Sequence, residues 1–361
     1  MLKQYKQWDK KELHQVFQWS FGIFFVCSIF LLLTSFYLYK DKKNEGMYWE
    51  YYLKEHDQLT KEEKHISKNA TRVKSGIYLE NIDDLNIKNS NYTVKFKIWF
   101  SWENNNNLNM LDNYMIYHGK INEQKILENK IVGKKKYQLA EVSATINKVF
   151  WTTRFPLGSY QLRLYIEPQY NLKDVLIEPD PQSSSVNKNL NVSGFTVNKF
   201  AVSRCIQNIS TTPSFSTKKT GTSEFLAAVE LNRKGIGLYL KCFIALAGTL
   251  GWVLITLFLC TYHEVDPLGM IPSALFGTVS NILVGANLVP DAIQTGLIEF
   301  VNIYGILLII FVALAVIKIN RTRDYYKNND FAFFLGRHIF WVILFLAILG
   351  NILLPLIAYK F

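Results

Sequence analysis

Thr93-Val94-Lys95-Phe96-Lys97-Ile98-Trp99-Phe100-Ser101-Trp102 decides how the middle of this chain folds. One face carries Val94, Phe96, Ile98, Phe100 and Trp102. The other carries Thr93, Lys95, Lys97 and Ser101, with Trp99 the exception. Alternation with period two marks a half-buried strand. Further strands are expected over 73–80, 112–118, 136–146, 160–167, 172–178, 194–206 and 223–231. Turn signals separate them: Asn89-Ser90-Asn91, Asn104 to Asn107, Pro156-Leu157-Gly158 and Pro179-Asp180-Pro181. Many short strands punctuated in this way predict an antiparallel β-sandwich. The stretch 47–66, beginning Met47-Tyr48-Trp49, reads as an amphipathic helix. At about 190 residues the block is ample for its own core.

On either side of this polar block lie charge-free windows: 13–39, 242–262, 267–290, 300–317 and 339–359. A bilayer core of about 30 Å is crossed by about 20 apolar residues in a helix, so all five are expected to span a membrane. The first reads as an uncleaved anchor. Its apolar core, Phe21 to Tyr39, is too long for a signal peptide, and no small-x-small cleavage site follows. Lys318, Arg321, Arg323, Lys327 and Arg337 place the loop between the last two spans in the cytoplasm. Counting back puts the N-terminus in the cytoplasm and residues 40–235 outside a cell (inner) membrane. Lys3, Lys6, Lys10 and Lys11 agree; Lys40, Lys42 and Lys43 oppose.

The 361 residues are 49% hydrophobic and 15% aromatic. Only 19% are charged, below the roughly 25% of soluble domains. This excludes a disordered chain, a collagen-like fibre and a disulfide scaffold, while a mean hydropathy of +0.06 does not by itself mark a membrane protein. The net charge of +11 is spread out, with no Arg-rich helix, so it reads as basic membrane flanks and no nucleic-acid partner is expected. Of the four cysteines, Cys27, Cys242 and Cys260 lie in apolar stretches and only Cys205 in the polar block. That block therefore has no internal disulfide, and no metal site or cofactor is expected. The histidines are scattered. There is no His-Glu-x-x-His, no Gly-x-Ser-x-Gly and no phosphate loop, which argues against an enzyme.

Several segments, taken in order, resemble one family. Arg72-Val73-Lys74-Ser75-Gly76-Ile77-Tyr78-Leu79-Glu80-Asn81-Ile82-Asp83-Asp84-Leu85, a polar turn, and Tyr92 to Trp102 are similar to the first two strands of the outer domain of pentameric ligand-gated ion channels, the Cys-loop receptor superfamily. Phe155-Pro156-Leu157-Gly158-Ser159-Tyr160-Gln161-Leu162 resembles its Phe-Pro-x-Asp-x-Gln-x-Leu segment, with Gly158 and Tyr160 where the family has Asp and Gln. Val229-Glu230-Leu231-Asn232-Arg233 precedes the first pore-domain helix, and Asn281 to Pro290 looks like the end of the pore-lining helix in bacterial members. The resemblance covers roughly residues 70–358. The absent disulfide suits a bacterial-type member; the N-terminal span is extra.

The resemblance implies three parts. Residues 1–42 are an N-terminal segment and anchor, 43–233 an extracytoplasmic β-sandwich, and 234–361 a four-helix transmembrane pore domain. It implies a homopentamer in membrane lipid that passes permeant ions, probes an unknown small-molecule ligand and is selective for cations. Leu268, Pro272, Leu275, Val279 and Ile282 would line the pore, with Leu275 at the hydrophobic gate. Leu268 and Pro272 stand where the family has small hydroxyl residues. Glu264, with Asp266 near it, would form a carboxylate ring favouring cations. Asp83 and Asp84, expected in the turn between the first two strands, would press on the loop near Pro290, with Arg233 beneath. Polarity alone selects a different face of the pore helix: Ser273, Gly277, Ser280, Asn281 and Asn287. Ligand contacts stay unassigned, since Trp49, Trp99, Trp102, Trp151 and Tyr165 read as core. The alternative is a non-conducting membrane sensor or assembly protein on the same fold. A transport accessory subunit without fivefold symmetry is a third reading.

Overall fold

The computed structural model describes residues 8–51, 53, 58–190, 192–209, 220–288 and 295–360. The chain divides into two compact units. One holds residues up to Lys42, Thr152–Gly158 and Ile236 onward; the other holds Lys43–Trp151 and Ser159–Gly235.

The first unit is helical. It contains most of α1 (Lys10–Glu50), then α3 (Gly237–Tyr262), α4 (Ile271–Leu288), α5 (Leu297–Asn320) and α6 (Asn329–Lys360), α2 lying elsewhere. Among the described residues, these five helices are long and apolar enough to cross a membrane, as in a multi-pass membrane protein. Leu246, Leu250, Val253 and Leu257 of α3 are buried, as are Leu308, Val312 and Val316 of α5 and Leu335, Ile339, Ile343 and Leu346 of α6. Their three- and four-residue spacing is one face per helix. Tyr304 Oη donates to the Leu346 carbonyl (2.8 Å), and the bare backbone of Gly350 makes room for its ring. On α1 only a narrow stripe is buried: Val16, Ile23, Cys27, Leu31, Thr34 and Leu38. Phe17, Phe21, Phe25, Leu32, Leu33 and Phe36 on its other sides are exposed.

The sequence suggests that the first helix stops near Lys40. It does not. Lys40-Asp41-Lys42-Lys43-Asn44-Glu45 continues the helix to Glu50, because Lys and Glu are good helix formers and no proline interrupts them. The single amphipathic helix expected over 47–66 is instead the end of α1 and a separate short helix, α2 (Lys61–Ile66). A reciprocal cap starts α2: Thr60 Oγ1 accepts from Glu63 N (3.3 Å), and Thr60 N donates to Glu63 Oε2 (2.8 Å).

The second unit is β-rich. Its strands are β1 (Thr71–Asn86), β2 (Asn91–Glu103), β3 (Tyr114–Ile116), β4 (Gly119–Val132), β5 (Lys135–Asn147), β6 (Tyr160–Pro168), β7 (Val175–Pro179), β8 (Ser185–Val186), β9 (Phe195–Ile209) and β10 (Thr220–Arg233). One sheet runs β4-β5-β2-β1-β7 with β8 on β1, and the other runs β3-β6-β10-β9. In β2 the side chains of Tyr92, Val94, Phe96, Ile98, Phe100 and Trp102 are all buried, as the alternation requires. Leu79 and Val94 of the first sheet and Leu162 and Ala227 of the second line one small common cavity. Tyr92 Oη donates to the Arg163 carbonyl (2.6 Å), joining the sheets.

Three expectations need correction. The pairing is not wholly antiparallel, since β1 runs parallel to β7 and β8. Strand β4 is not among the expected strands. Asp83 and Asp84 are not in the turn. Both belong to β1, where a bulge between Ile82 and Asp84 interrupts the register with β2, and the turn itself is 87–90.

Candidate functional site

Helix α4 has one packed face and one open face. Ile271, Ala274, Thr278 and Asn281 are buried. Asn281 Nδ2 donates to Asn302 Oδ1 of α5 (2.8 Å), and Asn302 Nδ2 donates to the Ile298 carbonyl (2.9 Å). At Gly277, the Thr249 hydroxyl of α3 occupies the space a Cβ would need. Small residues and paired amides are what close helix packing in an apolar surround demands. The stripe selected by polarity is therefore split: Gly277 and Asn281 turn inward, while Ser273, Ser280 and Asn287 are exposed.

The open face carries Pro272, Leu275, Val279 and Ile282, with Phe276 and Leu283 beside them. Leu268 lies ahead of α4 in a single 3-10 turn, Leu268–Met270, and is half-buried. The open face offers little polarity. Ser273 Oγ donates to the Met270 carbonyl (2.6 Å) and Asn287 Nδ2 to the Leu283 carbonyl (3.0 Å).

Two carboxylates precede α4. Glu264 is exposed, with φ of 57°, a left-handed conformation that costs a residue with a Cβ about 1 kcal/mol. Asp266 is engaged: its Oδ1 accepts from Leu268 N (3.2 Å) and from Asn320 Nδ2 (2.7 Å). Arg323 continues that cluster, donating to Asn320 Oδ1 (2.7 Å) and the Cys260 carbonyl (3.2 Å). Of the two, Glu264 is the carboxylate without a described hydrogen bond.

The segment Thr152–Gly158 belongs to the helical unit and meets the start of α5. Leu297 N donates to the Thr153 carbonyl (2.7 Å), and a Cβ at Gly296 would fall 2.5 Å from that oxygen. Arg154 Nε donates to Asp41 Oδ2 of α1 (3.2 Å), with side chains only 5% and 10% exposed. Sequence reading missed this ion pair, because Asp41 sits among lysines and looks like a solvated flank. Pro290 falls outside the described residues. Within the β unit, Asp83 Oδ1 accepts from Asn81 Nδ2 (2.5 Å), and the Arg233 guanidinium lies over the Phe195 ring, 4.0 Å from its centroid.

The β unit also buries a carboxyl that sequence reading did not single out. Glu224 is 3% exposed, and its Oε1 meets no hydrogen-bond donor among the described residues. Burial first, then the charge of Glu167, push its carboxyl up to about 7. Thr222 Oγ1 donates to Glu167 Oε1 (3.1 Å). Cys205 faces Glu224 across the β9–β10 ladder, and burial pushes its thiol up to about 11. No family model matches this chain, and no curated protein matches it.

Proposed function

We propose that this chain is one subunit of a homopentameric ion channel of the ligand-gated type, passing cations passively across a cell membrane. In this reading the β unit is a sandwich outside the cytoplasm, α3 to α6 form the pore domain, and α1 is an additional anchor with its N-terminus in the cytoplasm. One observation carries it. Helix α4 is fixed by its polar and small residues against α3 and α5, which leaves Pro272, Leu275, Val279 and Ile282 together on an uncovered face. Five such faces would make an apolar-walled pore with Leu275 as a gate that closes by dewetting. Glu264 would supply the carboxylate ring at its mouth.

The second reading is a non-conducting membrane sensor or assembly protein. What favours it is the chemistry of the same face, which lacks a ring of hydroxyls to ease ions through. Currents in planar bilayers, with reversal potentials in a salt gradient, separate the two. A channel gives cation-selective current that loses selectivity in Glu264→Ala and opens more readily in Leu275→Ala. Silence in all three proteins, from material that native mass spectrometry shows to be pentameric, supports the sensor. Silence from a monomer removes the channel reading.

A further inference from the structure

The β unit contains a cavity of about 560 Å³, within the range that holds a small organic molecule. Tyr48 of α1, Tyr117 and His118 between β3 and β4, Lys148 just after β5, and Arg163 and Tyr165 of β6 line it. Aromatic rings form part of its wall, beside the polar Asn89, Ser90 and Asn147. Tyr117 packs edge-on against Tyr165 (centroids 6.3 Å apart) and close to the His118 ring (4.0 Å). Its charge is of one sign: Lys148 and Arg163 line it, and no Asp or Glu does among the described residues.

Both cations are held in place by the protein. Arg163, 5% exposed, donates to Gln161 Oε1 (2.8 Å) and the Tyr48 carbonyl (3.4 Å). Its guanidinium lies 4.3 Å from the Tyr48 ring centroid. Lys148 Nζ donates to the Gln161 carbonyl, and an ammonium carries three donors. Burial first, then Arg163, hold Lys148 down to about 7, so a negative partner would restore its charge. Glu45 lines a smaller cavity of about 190 Å³ that shares Tyr48 and Lys148, and its Oε2 accepts from Ser159 Oγ (3.2 Å).

Three tyrosines in one cavity could also suit an organic ammonium. Here that role is already filled at Tyr48 by the protein's own guanidinium, and a second cation would meet two like charges. We infer that this cavity binds a small organic anion: a carboxylate, placed at Lys148 and Arg163, on an aromatic or apolar body held between Tyr48, Tyr117 and Tyr165. The site lies within one chain and stands whether or not the protein conducts.

The test uses the full chain in detergent micelles with three probes of one shape: benzoate, benzylamine and benzyl alcohol. Binding is read from the thermal unfolding midpoint and from tyrosine and tryptophan fluorescence. Benzoate is expected to bind saturably and raise the midpoint, and benzylamine to do neither. Lys148→Gln should weaken benzoate about tenfold, the loss of one charged hydrogen bond. Tyr117 is 38% exposed, so Tyr117→Ala serves if Lys148→Gln does not fold, and it should weaken benzoate by a few-fold. Equal binding of benzylamine and benzoate overturns the inference. So does unchanged benzoate binding in a folded variant, or no saturable benzoate binding to the folded parent.

Discussion

In the helical unit, two buried pairs answer one another: Asn281 meets Asn302, and Arg154 meets Asp41. In the β unit, Glu224 keeps a buried oxygen without a donor among the described residues, and Lys148 lies beside a second cation, Arg163. The difference lies in what each group can do when its partner is missing. An amide or a guanidinium cannot discharge itself, so it depends on fixed acceptors, as Arg163 does on Gln161 and the Tyr48 carbonyl. A carboxyl or an amine can take up or release a proton, and the shifts of Glu224 and Lys148 toward 7 are that response. Where proton transfer is an option, the fold tolerates an unmatched group.

If this contrast holds, breaking a pair in the helical unit has the largest effect. Asp41→Ala removes the buried carboxylate that accepts from Arg154 Nε and should cost about 3–5 kcal/mol of stability. Asp41→Leu with Arg154→Met should recover much of that. Unfolding followed by tryptophan fluorescence in detergent measures both, and a cost below about 1 kcal/mol for the single change would place the pair among exposed ones.

The β unit should instead respond to pH. The folded carboxyl of Glu224 lies above its ordinary value of 4.5, at about 7. Its stability contribution is therefore complete below pH 4.5 and lost as pH rises through 7. Glu224→Gln should flatten that loss, gaining about 3 kcal/mol at pH 8. Lys148 has the opposite sign. Its folded value of about 7 lies below the ordinary 10.5, so its penalty is full below pH 7 and relieved as pH rises toward 10.5. Together these two groups predict a stability minimum near neutrality, and a curve without one would contradict the contrast.

The smallest effect is expected at the amide pair. Asn281→Val leaves Asn302 with its bond to the Ile298 carbonyl but without a side-chain partner. About 1 kcal/mol is the expected loss, read by the same unfolding measurement.

Much of the fold was legible where one period ran unbroken. The alternation in β2 and the charge-free windows of α3, α5 and α6 each announce a burial pattern that local physics enforces. Strand β4 was not legible. Its sequence, Gly119-Lys120-Ile121-Asn122-Glu123-Gln124-Lys125-Ile126-Leu127-Glu128, alternates poorly, because the strand lies at a sheet edge and is wetted on both faces. Two bulges, at Ile121/Glu123 and Ile126/Glu128, shift its period further. Asp83 and Asp84 misled for the same reason: an acidic pair beside a polar run looks like a turn, and only the pairing with β2 shows a bulged strand. On α4 the sequence offered two faces. What separates them is the partner side chain on another helix, Thr249 or Asn302, and no spacing within α4 contains that information.

The edge position of β4 has a consequence for the chain during synthesis. An open strand edge presents unpaired backbone donors and acceptors to any extended segment nearby, and so seeds aggregation. Along β4, Lys120, Glu123, Lys125, Glu128 and Lys130 bring charge to that edge, and its two bulges keep it from lying flat. A second copy therefore finds no straight, neutral edge to extend. The irregularity that hid this strand from its own sequence is also what keeps the sheet from growing between molecules.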